Sequence, residues 1–253
     1  MAVEQEIASR LILPMDYQEG IHCAAAQELL GGVEDSGVVI KIGTVTTVQT
    51  GWIDPLREAG EHGLHTFADT KAADTHNTVR DTLDAIMDEN PLLVNMHAEA
   101  SDAALEAFVT MAQEKKAKIG EGAGLITLAV TVLTDTKEEQ VKREYGRTRE
   151  EEVLRRARKA REFGFDGVVC SAEELEALAA DPDTAEMEKV VAAIRPLWSV
   201  ADGQQNIVTP REAMLRGATR IVCGSPITRQ YRSIGDTQLD AVEAVLQELK
   251  EAV

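Results

Sequence analysis

The chain has 253 residues, with 44 acidic against 26 basic side chains for a formal net charge of −18, and it is 44% apolar, 28% charged and 4% aromatic. That length suits one large α/β domain or two small ones and excludes a small disulfide-stapled module, since a single core of this size buries roughly three quarters of the unfolded surface. The balance of apolar to charged residues is that of a folded globule, and the acidity excludes the basic stripe that nonspecific nucleic-acid binding needs.

Short apolar, β-branched runs alternate with longer helical patterns along the whole chain. Strands are expected at residues 11–15 (LILPM), 38–42 (VVIKI), 64–68 (LHTFA), 92–96 (LLVNM), 125–132 (LITLAVTV), 167–170 (GVVC), 190–194 (VVAAI) and 220–223 (RIVC). Helices are expected at 17–30, 52–62, 77–88, 101–115, 150–163, 172–180, 210–216 and 236–251. Eight strand–helix pairs point to an α/β fold, a (β/α)8 TIM barrel, with residues 1–253 as a single domain. A doubly wound open sheet is the alternative, but no Gly-x-Gly-x-x-Gly turn follows the first strand.

Two stretches depart from the alternation. Residues 134–148 (TDTKEEQVKREYGRT) are too polar for core and read as a βα loop. Residues 197–206 (LWSVADGQQN) carry Gly203 and read as a loop able to bring backbone amides close to a ligand. The last helix spaces Val242, Val245, Leu246 and Leu249 on one face, as a helix closing the barrel wall would. Cys23, Cys170 and Cys223 have no metal or redox spacing, which fits a reducing cytoplasm. No apolar stretch approaches the ~20 residues of a membrane span, and the start MAVEQEIASR does not resemble a signal peptide.

The densest polar cluster is Asp69-Thr-Lys71-Ala-Ala-Asp74, at the end of the third strand. By the period of two, Asp69 and Lys71 share a face, while Asp74 begins the loop. A lysine bracketed by carboxylates is held protonated and is suited to donate a proton. The bland alternative is a solvated ion pair at a helix start, with Asp74 as the helix cap. Asp16 closes the first strand, and Lys41 interrupts the apolar second strand, where an unpaired buried charge would cost several kcal/mol. Pairing Lys41 with Asp16 and Asp69 would satisfy it, so Asp16, Lys41, Asp69 and Lys71 together favour a site.

This pattern resembles the orotidine 5'-monophosphate decarboxylase family. The residues that carry the resemblance are DTKAADTHNTV, the first-strand aspartate, KIG, AVTVLT and the closing run IVTPREAMLRGATRIVCGSPIT, in order over nearly the whole chain. It implies decarboxylation of orotidine 5'-monophosphate to uridine 5'-monophosphate with neither metal nor organic cofactor. Asp16 and Lys41 would bind the ribose hydroxyls, with Lys41 also anchoring Asp69. Asp69 would crowd the substrate carboxylate, and Lys71 would protonate C6. Asp74 and Thr78 would reach the neighbouring subunit's site, making the working unit a homodimer.

The sequence departs from the family pattern at several places. Ser225, in GSPIT, stands where the family has an arginine for the phosphate; a neutral hydrogen bond in place of a charged bidentate grip weakens binding by about 2 kcal/mol or more. Gln204 keeps the family's glutamine at its spacing, and Arg229, four residues after Ser225, is a candidate substitute. The seventh strand leads into Ala193-Ile194-Arg195-Pro196 without the usual glycine, and Thr75-His76 replaces Ile-Pro. Either Thr134 or Asp135 falls where relatives contact the pyrimidine.

The other histidines and the basic run suggest less. His97 reads as a packing residue, and His22, His62 and His65 are scattered. The basic run Arg155, Arg156, Arg158, Lys159 and Arg161 reads as a solvated helix face. Two further readings are kept. One is a nucleotide-binding relative with weak or no turnover. The other is a magnesium-dependent sugar-phosphate decarboxylase, against which Lys41 stands where those relatives carry a metal-binding glutamate.

Overall fold

Strands that are apolar on both faces are stable only where both faces are covered, and eight such runs here lie side by side. The computed structural model describes residues 2–119, 124–199 and 207–252. Its strands are β1 (Leu11–Pro14), β2 (Val39–Ile42), β3 (His65–Ala72), β4 (Leu93–His97), β5 (Ile126–Val130), β6 (Gly167–Cys170), β7 (Glu188–Val191) and β8 (Arg220–Val222). They follow in chain order round a closed barrel, as the strand–helix alternation predicts. The helices are α1 (Ala2–Ala8), α2 (Ala24–Gly32), α3 (Thr44–Thr50), α4 (Ile53–Glu61), α5 (His76–Met87), α6 (Asp102–Ile119), α7 (Glu138–Tyr145), α8 (Arg149–Phe163), α9 (Leu175–Ala180), α10 (Pro210–Leu215), α11 (Ser225–Thr228) and α12 (Gln238–Lys250). No described helix is long and apolar enough to cross a membrane.

The chain gathers into two compact units, Met1–Phe67 with Val191–Val253, and Ala68–Val190. In the first, β1 pairs in parallel with β2, Leu13 opposite Ile40, and with β8, Ile12 opposite Val222. Leu11, Ile12, Leu13, Ile40, Ile42 and Ile221 are fully buried there. Gly224 follows β8 so closely against Pro14 that a Cβ would lie 2.7 Å from the proline ring. In the second unit, β5 pairs in parallel with β4 and β6, and Phe108 stacks on Phe165 with ring centroids 5.5 Å apart.

Several expected boundaries shift for physical reasons. Strand β3 continues past 68 to Ala72. Strand β7 begins at Glu188 and stops at Val191, because Ala193 has φ 62°, a left-handed backbone that no strand accommodates. The second helix starts at Ala24 rather than 17, after a turn in which Gly20 adopts φ 82°. The polar stretch expected as a loop contains α7, which buries Val141 and ends at Gly146 in the left-handed conformation. On α12 the buried residues are Ala241, Val242, Val245 and Leu249, with Leu246 only half-buried. The short α1, α3 and α11 were not expected. Helix α3 (TVTTVQT) is rich in β-branched residues, and its Thr46 is buried with its hydroxyl donating to the Met15 carbonyl.

The basic run of α8 is not a solvated face throughout. Arg156 is buried. It lies 2.6 Å from Glu99 Oε1 and 2.8 Å from Glu152 Oε1, donates to the Thr131 carbonyl at 2.6 Å, and covers the Tyr145 ring. Burial alone would raise the Glu152 pKa. The hydrogen bonds and charges of Arg155 and Arg156 outweigh it and hold the group down, from 4.5 to about 2. A depressed carboxylate stabilises the fold fully above its unfolded pKa and loses that contribution as pH falls through the folded one. Denaturant midpoints should therefore drop as pH is lowered from 4.5 towards 2. Glu152→Gln should flatten that drop and cost about 3 kcal/mol at neutral pH, as breaking a buried pair does; an unchanged pH slope in the variant would exclude this role.

Candidate functional site

In the first unit, the ends of β1 and β2 bring two charges together. Lys41 is buried in β2, with its Nζ 3.7 Å from Asp16 Oδ1. The Met15 amide donates to the Lys41 carbonyl at 3.0 Å, so the backbone fixes the pair's register. Asp16, Tyr17, Glu19, Thr228 and Arg229 line a polar cavity beside it. Burial, only partly offset by a 2.6 Å hydrogen bond to Gln238, pushes the Tyr17 phenol up to about 12, so it acts as a neutral donor.

The same unit carries a pairing that the sequence does not by itself assign. Arg195, after β7, has its amide bonded to the Val208 carbonyl at 3.0 Å, and its guanidinium Nη1 donates to Ser225 Oγ. A positive charge thus stands at Ser225, where the family resemblance leads one to expect an arginine. It comes from Arg195, whereas Arg229 is exposed and lines the cavity beside Asp16. The signal for Arg195 in the sequence is a charged residue directly after the run expected as the seventh strand, 190–194. Gln204 and Gly203 lie outside the described residues.

In the second unit, Asp69 is only 4% exposed. Its Oδ2 is 2.5 Å from Lys71 Nζ, and its Oδ1 accepts from Asn95 Nδ2 at 2.7 Å. Asn95, on β4 and fully buried, also accepts the Lys71 backbone N–H on Oδ1 at 2.8 Å. Lys71 has φ 46°, so it reaches Asp69 from a left-handed backbone rather than through regular strand alternation. Such a conformation costs on the order of 1–2 kcal/mol in a non-glycine residue. In the sequence, the only signal for Asn95 is an amide inside the apolar run LLVNM.

Asp74 and Thr78 are exposed. Thr75, not Asp74, is the residue before α5, and Asp74 accepts from the Thr75 amide at 2.6 Å, so the expected helix cap is not Asp74. Asp74 lines a cavity with Thr75, His97, Glu99 and Ser101. Burial, followed by the charge of Lys71, lowers the His97 pKa from its ordinary value. Thr134 and Asp135 are exposed in the turn after β5. Arg149 holds that turn, donating to the carbonyls of Val132, Leu133 and Thr136 while paired with Glu174 at 2.6 Å.

No group of three or more His, Cys, Asp or Glu among the described residues is arranged to hold a metal ion. Burial raises the Cys170 thiol far above its ordinary value and the Cys223 thiol to about 12, so neither is a nucleophile. A disulfide reagent at mild pH should modify Cys23 in the native protein and reach Cys170 and Cys223 only on unfolding. Fast reaction of all three without denaturant would contradict the burial.

Eight parallel strands closed in chain order, with an Asp–Lys pair at the ends of β1 and β2 and another within β3, place the protein in the (β/α)8-barrel class, whose sites are built at the strands' carboxyl ends. Residues 9–233 match the family "Orotidine 5'-phosphate decarboxylase / HUMPS family". The chain belongs to that family. It is 33% identical over 230 residues to the orotidine 5'-phosphate decarboxylase of Moorella thermoacetica, covering 89% of this chain and 88% of that one. To the enzyme of the same name from Chromohalobacter salexigens it is 36% identical over 228 residues, covering 88% and 91%. The crystal structure of orotidine 5'-phosphate decarboxylase from Lactobacillus acidophilus shares the fold, with a TM-score of 0.75 at 24% identity over 94% of this chain and 98% of that one.

Proposed function

We propose that this chain is an orotidine 5'-monophosphate decarboxylase that works as a single domain spanning 1–253. The observation that carries the reading is the buried Asp69 carboxylate held 2.5 Å from the Lys71 ammonium, in a chain of this family. Asp16 and Lys41 bind the ribose hydroxyls. Asp69 opposes the substrate carboxylate, and the C6–carboxylate bond breaks to release carbon dioxide with its electron pair left on C6. The Lys71 ammonium stabilises that pair and transfers a proton to C6; the neutral amine then regains a proton from water. No step calls for a metal or an organic cofactor.

Phosphate recognition falls to Arg195, with Ser225 as its neutral companion and Gln204 in support. Thr134 contacts the pyrimidine, and Arg229, beside Asp16, adds positive charge at the ribose end. The exposed segment from Asp74 to Thr78 fits a homodimer in which Asp74 and Thr78 serve the neighbouring subunit. A cytoplasmic protein with a nucleotide substrate accords with three free cysteines. The magnesium-dependent alternative is disfavoured because the buried Lys41 repels a divalent cation.

An absorbance assay with orotidine 5'-monophosphate tests the reading. Turnover should persist in chelator and vanish in Lys71→Ala, whereas nucleotide binding with no turnover in the unmodified protein would support the non-catalytic alternative. Arg195→Ala should raise KM for the nucleotide by roughly 10- to 100-fold, the worth of a charged hydrogen bond. Adding Ser225→Arg to that variant should restore much of the loss. If Arg195→Ala leaves KM unchanged, the phosphate is bound elsewhere.

A further inference from the structure

A primary amide in an apolar strand needs a reason, since burying it without partners costs about 1–3 kcal/mol. Asn95 is fully buried in β4 between Val94 and Met96, and both ends of its amide are used. The partners also fix its orientation: a flipped amide would set oxygen against the Asp69 carboxylate and N–H against the Lys71 N–H. Asn95 takes one Asp69 oxygen and leaves the other to Lys71 Nζ. Its carbonyl oxygen takes the backbone N–H that the left-handed turn at Lys71 presents. A second tie holds the segment, because the Thr70 hydroxyl donates to the Asn95 main-chain carbonyl.

We propose that Asn95 is a positioning residue, whose side-chain amide sets both the rotation of the Asp69 carboxylate and the left-handed backbone from which Lys71 delivers its proton. The two groups that must be placed against each other are thereby referenced to one rigid point on β4. A residue that merely filled the core would not need to bond to both. For its effect on turnover the inference rests on the decarboxylase reading; for the geometry of Lys71 it does not.

Two variants and three readouts test it. Asn95→Asp keeps an acceptor for the Lys71 amide but sets a second carboxylate against Asp69; Asn95→Leu removes both bonds at similar size. With active sites counted by titration with uridine 5'-monophosphate, kcat per site should fall on the order of 10²-fold in both, the loss expected from small misplacement of reacting groups. The nucleotide dissociation constant should stay within about threefold, because that ligand has no carboxylate for Asp69 to meet. Counting sites this way keeps a reduced folded fraction from passing as reduced kcat. Amide hydrogen exchange should show Lys71 protected in the unmodified protein and in Asn95→Asp, and exposed in Asn95→Leu. A per-site kcat within about threefold of the unmodified protein in Asn95→Asp, or an unprotected Lys71 amide in the unmodified protein, overturns the proposal. If Asn95→Leu does not fold, those two measurements still decide. If the unmodified protein does not decarboxylate the nucleotide, the functional reading falls and the exchange result alone decides for Asn95.

Discussion

Asp69 is a carboxylate with almost no access to water, and a buried charge persists only if the surroundings supply compensating charge and hydrogen bonds. Lys71 supplies the charge on one oxygen and Asn95 a donor on the other. Strand β3 runs on beyond its apolar residues, Lys71 adopts a backbone that side chains avoid, and β4 carries an amide among aliphatic neighbours. Each of these locally unfavourable features is explained by the need to hold one carboxylate charged and oriented.

The same rule recurs away from the acid–lysine pair. Arg149 and Arg156 are buried, each matched to glutamate and to backbone carbonyls of the segment that follows β5. They tie α8 to that segment and give a polar stretch a fixed path. Arginine suits the task because one planar guanidinium can donate to several carbonyls and a carboxylate at once.

A net charge of −18 opposes recognition of an anionic nucleotide at long range. Short-range geometry outweighs it, since charges on the far surface are screened beyond about 10 Å at ordinary ionic strength. Lys41 beside Asp16, Lys71 beside Asp69 and Arg195 against Ser225 are all at or just beyond strand ends. Ser225, the position at which the family resemblance leads one to expect an arginine, is thus bonded to a different arginine, Arg195.

The sequence by itself determined the barrel, because alternation of strand and helix patterns depends on local periodicity and on apolar runs that must be covered on both sides. It also determined the acid–lysine motifs, whose residues lie close together in the chain or occupy strands in a recognisable order. The tertiary structure alone decided where β7 ends, since the left-handed backbone at Ala193 leaves no mark in composition, and that α7 is helical, since a helix with one buried residue has too weak a pattern to read. It also decided the partnerships of Asn95 with Asp69, Arg156 with Glu99 and Arg195 with Ser225. These pairs lie 26, 57 and 30 residues apart in the chain, and only folding brings their side chains within hydrogen-bonding distance.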